Sequence, residues 1–495
     1  FCAVARMALH ELEIAEFVSG SDAGDLCQSS VWPSIDEVKL MAPADKLLSS
    51  HQGEAIDHAT AVRVGCLQGS PGVGKTFCVA AIVKAVIARF GRDSIAVCAP
   101  TGKAAVRVAQ SMLANGVDLP ASTIHRLLQV EGEGGDGWSF HFNEQNPLPF
   151  RFLIIDESSM IDVDLLASLL RACTPSTHIL FVGDTGQLAP VGHGRPFFDL
   201  QQCVPTGKLT EIRRNSGRIV KACAEIRDRN TITFSEKLDI DGGENLVLIQ
   251  CSDEDQPQIL EQLIAKIDAQ HIGPRGLSVI DDLQILTGKN DGSPVARKPL
   301  NKMLQQVLNP DGDRIQGNPF RVNDKIVDLK NGKYPDAEDQ NEEHFVANGE
   351  LAKAKDIKPG RMVVEVSDPK RSILICHAPV QENEQGIDDS ENTAKGAVGD
   401  WDLGYCLSTH RSQGSQWKFV IVMADSKGAM VQSRQWLFTA ISRAEIATFV
   451  IGQKQVVNAM LKRDGISGRK TFLVDRIRHQ RAVATVDYDS IWMEV

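Results

Sequence analysis

Along residues 1–45 the apolar positions Leu9, Leu12, Phe17 and Val18 recur at helical spacing, and a Ser/Asp/Gly-rich stretch without readable chemistry follows. From about Val62 the pattern changes. Short apolar runs of strand length (Val62–Leu67, Ile95–Cys98, Phe152–Ile155 and His178–Val182) alternate with helix-patterned segments such as Phe77–Phe90 and Leu165–Cys173. Runs that are apolar throughout, with helices between them, predict a parallel sheet covered on both faces. A second set of such runs follows at Leu283–Leu286, Leu403–Leu407, Phe419–Met423 and Thr448–Ile451. It is interrupted over about Phe320–Asp400 by short strand patterns, Lys325–Leu329, Arg361–Val366 and Ile373–His377, which predict a small all-β module inside the second α/β half. Two acidic loops punctuate that module, Pro335–His344 and Gln381–Asn392, and read as solvated surface. No solenoid repeat is visible.

Composition narrows the class. With 495 residues, 42% hydrophobic and 24% charged, the chain reads as globular, with about three domains' worth of length. The balance of 53 basic and 64 acidic residues gives a net charge of −11, so no global field draws it to nucleic acid or anionic lipid; a basic channel inside an acidic body remains compatible. The 11 cysteines show no CxxC pair or zinc spacing, which suits buried side chains in a reducing cytoplasm. No apolar run reaches the ~18 residues of a membrane span. No signal-peptide pattern opens the chain, and its start at Phe1 would suit a fragment or a processed form.

The chemistry concentrates where the first strand ends. Gly69-Ser70-Pro71-Gly72-Val73-Gly74-Lys75-Thr76 is a G-x-x-x-x-G-K-[ST] loop between a predicted strand and a predicted helix. Its glycines let backbone N–H groups converge on phosphate oxygens at a positive helix end. Lys75 would hold the β- and γ-phosphates, and the Thr76 hydroxyl would ligate Mg²⁺. The third strand delivers Asp156 and Glu157 at its carboxyl edge, the first to bind Mg²⁺ and the second to polarise the attacking water. The fourth ends at Gly183-Asp184, and Gln187 behind it could bond both γ-phosphate and water. ATP and Mg²⁺ are therefore the expected cofactors.

Further blocks carry a resemblance. Ala99–Ala105 (APTGKAA), Thr123–Leu128 (TIHRLL), Gly183 to Phe197, Leu209–Asn215 (LTEIRRN), Thr409–Ser415 (THRSQGS) and Thr439–Ala444 (TAISRA) resemble, in order, the motifs of superfamily 1 helicases, specifically the RecD-like branch of the 5′→3′ group. The match runs from about residue 48 to 452. Asp-Glu-Ser-Ser stands where Asp-Glu-Ala-Ser is usual, His193 where proline is frequent, and Asn215 where Gln commonly follows the arginine.

The resemblance implies an α/β fold of two RecA-like P-loop NTPase domains, with a small hairpin insertion in the first and an SH3-like β insertion in the second. The expected boundaries are 1–45, a segment of unknown role; 46–205, the first motor domain with a hairpin at about 129–150; 206–319, the second domain's first part; 320–400, the SH3-like insertion; and 401–495, the second domain's remainder and tail. It implies an ATP-dependent 5′→3′ DNA helicase of repair or recombination type, acting on single-stranded DNA and duplex forks. Protein partners in repair, recombination or conjugation are compatible, and a membrane is not expected. Arg214 (by alignment, over its neighbour Arg213) and Arg443 would be arginine fingers, whose fixed charge neutralises the transferring phosphoryl group. Gln413 and Gly414 would line the nucleotide cleft, and Gln52 fits an adenine-reading glutamine, or a solvated one. Pro100, Thr101, Lys103, Thr123 and His125 on the first domain, with Thr409, His410 and Ser412 on the second, would contact strand phosphates. His125 and His410 have helix packing as the plainer alternative, and the basic residues from Lys462 to Arg481 read as solvated surface, with an extension of the strand path as the alternative. Asp136-Gly137 before Trp138, Phe140 and Phe142 predicts a hairpin. The resemblance makes it a strand-separating pin; the plainer reading is a connection packed on the core. The alternative function is an ATP-gated nucleic-acid-binding subunit without autonomous unwinding.

Overall fold

The apolar runs are strands, and their partners explain why they are apolar throughout. The computed structural model describes residues 2–20, 31–42, 47–134, 137–211, 217–269, 271–274, 276–315, 318–367, 370–376, 397–428 and 430–484. The chain divides into two units, residues 1–216 with 464–495, and residues 217–463.

The first unit is built on a six-stranded parallel sheet in the order Ala121–Thr123, Ile95–Ala99, Phe152–Ile155, His178–Gly183, Val64–Gly69, Thr206–Leu209. The central strands are buried on both faces, as a sheet sandwiched between helices requires. The last strand moves the expected boundary at 205/206, because Thr206–Leu209 pairs with Val64–Gly69 and so belongs to the first sheet. It packs so closely on the helix Ser50–Ala59 that a Cβ on Gly207 would fall 1.8 Å from the Ala55 carbonyl oxygen.

The chain's end also returns to this unit, so the expected assignment of 401–495 to the second domain holds only to Arg463. The helix Leu473–Ala484 buries Leu473 and Ile477 against Ile14, Ala15 and Val18 of the helix Cys2–Ser19. Buried Glu11 accepts from the Thr471 hydroxyl (2.9 Å) and the Phe472 amide, and pairs with Arg476 at 3.4 Å. Arg481 donates to the Cys203 carbonyl at 2.5 Å. Several of the terminal basic residues read as solvated thus face inward. The segment 1–45 acquires a structural role, since its first helix is the seat of the last one.

At the amino ends of the central strands, away from the phosphate loop, Trp32, Phe152 and His178 form a ring cluster with centroids 5.0–6.0 Å apart. Burial pushes the His178 imidazole down to about 4, against the bond its Nδ1 makes with the Ser176 carbonyl. The unfolded chain binds the proton more readily, so stability is expected to fall as pH drops from about 6.5 towards about 4. Denaturant titrations of the parent and His178→Phe across that window test this; an equally steep acid loss in the variant refutes it.

The second unit carries a five-stranded parallel sheet in the order Cys406–Ser408, Leu283–Thr287, Trp417–Ala424, Ala444–Gly452, Leu246–Ile249. Between its strands lies a five-stranded antiparallel sheet in the order Lys370–Cys376, Arg361–Ser367, Leu351–Lys358, Lys325–Asp328, Trp401–Leu403. The single expected strand Leu403–Leu407 is in fact two. Leu403 pairs with Ile326 in the antiparallel sheet and Cys406 with Ile285 in the parallel one. The switch between them is held by Gln284, which donates to the carbonyls of Gly404 (3.1 Å) and Tyr405 (2.9 Å). Asn301 spans the same switch, donating to Leu403 and Cys406. The acidic loop 335–344 joins the hairpin strands Gly332–Pro335 and Glu343–Val346. Two backbone amides and His344 hold the Asp336 carboxyl down to about 2. The loop 381–392 lies outside the described residues.

Candidate nucleotide site and strand-binding segments

The phosphate loop turns through two left-handed glycines, Gly72 (φ +85°) and Gly74 (φ +91°), before the helix Lys75–Phe90 begins. Val73 is buried and pins the loop to the core, while Ser70 and Pro71 stand between strand end and helix start and Thr76 lies in the helix's first turn. Lys75 folds back, its Nζ donating to the carbonyls of Gly69 (2.6 Å) and Ser70 (3.3 Å). Gln52 lies directly against this loop. It is 2% exposed, accepts from the Ser49 amide in a capping box, and donates to the Val73 carbonyl at 3.5 Å. A solvated Gln52 is therefore ruled out, and reading a base would require its amide to exchange these partners.

Asp156 and Glu157 leave the strand Phe152–Ile155 beside Lys75. Burial first, then the charge of Glu157, push the Asp156 carboxyl up to about 6, while Lys75 and Arg107 pull it down. These shifts show that the lysine and both carboxylates share one electrostatic site. Glu157 holds a left-handed backbone, φ +51°, a strained conformation for a residue with a side chain. Its Oε2 is buried without a hydrogen-bond partner. Ser158, at the unusual position of the Asp-Glu-Ser-Ser block, donates back to the Ile155 carbonyl at 2.7 Å, so the extra hydroxyl is satisfied locally. Gln187 is 1% exposed in a turn closed by Asp184, which accepts from the Gly186 amide. Arg107 escaped the sequence reading. It lies one helical turn after Lys103 on the helix Gly102–Ala114, and that spacing was its available signal.

The strand-contact candidates of the first unit gather at one edge. Ala99 and Thr123 are paired positions at the carboxyl ends of neighbouring parallel strands. Thr101 and Thr123 each cap the helix that follows, accepting from the amides of Ala104 (3.3 Å) and Arg126 (3.1 Å). Their hydroxyl protons are still able to serve an acceptor such as a phosphate oxygen. Pro100 and Lys103 flank Thr101 at the same helix start. The His125 ring lies 6.1 Å from that of Phe140, and burial lowers its pKa, with Asp162 opposing. It is therefore a neutral imidazole near pH 7.

The hairpin is present as Val130–Gly134 paired with Gly137–Phe140. Phe140 and Phe142, however, pack against the first unit's core, so Phe140 acts as the hairpin's anchor rather than its tip. Asp136 and the Trp138 side chain lie outside the described residues.

In the second unit, Thr409–Ser415 turns out of the strand Cys406–Ser408. Thr409 Oγ1, Arg411 Nη1, Gln413 Nε2 and Ser415 Oγ are all buried without a hydrogen-bond partner, an unusual density in seven residues. Ser412 donates to the Thr409 carbonyl at 2.7 Å, Gly414 supplies φ +77°, and His410 is half-buried. Arg411 and Ser415 were not singled out from sequence. Arg443 differs from the expected free arginine finger. It is 2% exposed, donating to the carbonyls of Thr439 (3.0 Å) and Ser415 (3.4 Å) and to the Ser442 hydroxyl (3.3 Å). Truncating it would leave buried carbonyls without this donor, so its loss disturbs the fold of the unit as well as any chemistry. Arg213 and Arg214 lie outside the described residues. Among the described residues, no helix is long and apolar enough to cross a membrane.

Comparison with known proteins places both segments in matched regions. An AAA domain family matches residues 52–193, and a UvrD-like helicase C-terminal domain family matches 403–451. The ATP-dependent RecD2 DNA helicase of Deinococcus radiodurans is 30% identical over 454 residues, 90% of this chain and 54% of that protein. The chain thus spans about half the length of that relative. The RecBCD enzyme subunit RecD of Mycolicibacterium smegmatis is 26% identical, covering 83% of this chain and 72% of its own. Among solved structures, Bacteroides Pif1 bound to ssDNA is similar at 16% identity and a TM-score of 0.49, over 85% of this chain and 95% of that one. The chain is thus similar, over most of its length, to the RecD-like branch of the superfamily 1 helicases.

Proposed function

We propose that the chain is an ATP-dependent motor that moves 5′→3′ on single-stranded DNA and opens duplex at forks. The observation that carries this reading is the set of buried polar atoms without partners at two motif segments, Glu157 in one unit and Thr409–Ser415 in the other. Burying a polar group unpaired costs about 1–3 kcal/mol, so such groups mark places where a ligand completes the bonding. In the first unit the phosphate loop binds the triphosphate, Lys75 turning from its own carbonyls to the β- and γ-oxygens. Thr76 and Asp156 would hold Mg²⁺, and the fit is chemical: a hydroxyl and a buried carboxylate whose charge needs a cation. Bound there, Mg²⁺ would supply charge neutralisation at the bridging phosphates. Glu157 takes the proton of the attacking water, and Gln187 orients that water. In the second unit Thr409, His410 and Ser412 contact strand phosphates, as do Thr101, Lys103 and Thr123 in the first. Contacts of this kind position a strand without reading its bases.

The test is unwinding of 5′-tailed against 3′-tailed duplexes with ATP and Mg²⁺, alongside ATPase rates with and without mixed-sequence single strands. Strand-stimulated hydrolysis that weakens with salt, with opening of the 5′-tailed substrate alone, is the expected result. Equal ATPase rates without oligonucleotide, and no opening of either substrate, would leave an ATP-gated binding subunit.

A further inference from the structure

The loop Pro190–Arg195 begins three residues after Gln187 and is gripped from two sides. On one side Arg469, from the returning C-terminal segment, donates from Nη2 to the Pro190 carbonyl (2.5 Å) and from Nη1 to those of Gly192 (2.6 Å) and Gly194 (3.1 Å). On the other side the Val163 amide donates to the His193 carbonyl at 3.0 Å. There Gly192 lies so close to Asp162 that a Cβ would fall 2.0 Å from its Oδ2. Asp162 caps the helix Val163–Arg171 through the Leu165 amide, and it follows Glu157 by a single short turn, Ser158–Met160. Arg195 adds a further anchor, reaching the Ile466 carbonyl at 3.4 Å. One planar guanidinium therefore fixes three carbonyls of the loop that carries on from Gln187, while the loop's other side rests on the segment that carries on from Glu157. A lysine, a point charge without the fork, cannot reproduce that geometry.

We propose that Arg469 is a positioning residue for ATP hydrolysis: by chelating Pro190, Gly192 and Gly194 it holds Gln187 in register with Glu157. The inference rests on the motor reading above. Arg469 touches none of the reacting groups, so its effect falls on turnover rather than on nucleotide binding. The bland role, holding the C-terminal segment down, would lower stability and leave the chemistry of the folded protein alone.

The experiment compares full-length parent, Arg469→Ala and Arg469→Lys by strand-stimulated ATPase, with rates normalised to the nucleotide-binding fraction. The expected result is a kcat lowered about tenfold to a hundredfold in both variants, on the scale set by small misplacements of catalytic groups. KM for ATP should stay within about twofold, and millimolar guanidinium should restore part of the kcat of Arg469→Ala. Parental kcat in either variant, with only a lower unfolding temperature, overturns the proposal. If alanine prevents folding, the lysine variant, which keeps the charge but gathers its donors on a single nitrogen, decides it on the same kcat criterion. Absence of strand-stimulated hydrolysis in the parent would refute the motor reading, and is thereby distinguishable from failure of this inference.

Discussion

Replacing Glu157 with glutamine is expected to lower strand-stimulated ATP turnover by about 10²–10⁴-fold, the usual worth of a general base, while ATP stays bound. Its carboxylate has a buried oxygen left without a hydrogen-bond partner, and an amide of the same shape cannot take a proton from water. Binding should survive for a second reason. The charge of Glu157 is one of the two forces raising the Asp156 pKa, so removing it leaves Asp156 more readily ionised and a better partner for a cation. Single-turnover hydrolysis, with nucleotide affinity measured by a fluorescent ATP analogue, separates the two steps. Lys75→Ala provides the contrast, losing affinity together with turnover. Parental hydrolysis in Glu157→Gln would show that another group activates the water.

A smaller but more selective effect is expected from the hairpin, on unwinding alone. Phe140 and Phe142 are core anchors, so the segment to remove is the outer part, Glu133–Trp138, exchanged for a short Gly/Ser turn with Val130, Phe140 and Phe142 kept. Stacking of an aromatic on a base is worth about 1–3 kcal/mol, against about 1.4 kcal/mol to open an average DNA step. A pin of that strength changes the opening equilibrium by about a factor of ten or more, since 1.4 kcal/mol is tenfold. Strand-stimulated ATPase should remain near parental while fork opening falls about tenfold or further. Forks opened at the parental rate would reduce the hairpin to a packed connection, and a simultaneous loss of ATPase would tie it to the first unit's chemistry instead.

The parallel sheets were legible because strands buried on both faces must be apolar at every position, as Phe152–Ile155 is. The phosphate site was legible because backbone convergence on phosphate demands glycines at fixed spacing before Lys75. Edges and joints were not. Thr206–Leu209 holds its place by a glycine's close approach, and Leu351–Lys358 by small residues alternating with lysines, so neither presents an apolar run. The break at Gly404–Tyr405 is invisible because both flanking strands are apolar and only the buried amides of Gln284 and Asn301 separate them. Motif residues were found, but their surroundings were not. Arg443 is buried against its own unit, Gln52 is bonded to the phosphate loop, and Phe140 faces the core. Arg469 carries no motif at all, because its role depends on carbonyls nearly three hundred residues away.

The pairing of two helices so distant in sequence has a consequence for how the protein is made. A ribosome releases the helix Cys2–Ser19 about 450 residues before the helix that covers Ile14, Ala15 and Val18. At about 5–20 residues per second, that apolar face waits on the order of half a minute or more for its partner. Throughout that interval the sheet holding the phosphate loop can pair its strands, yet Glu11 has nothing to accept from and the loop after Gln187 lacks its clamp. The second unit meanwhile emerges whole, since all its strands lie between residues 217 and 463. The unit with the phosphate loop is thus begun before the second unit and finished after it, and a nascent chain cannot complete it before the segment beyond Arg463 exists.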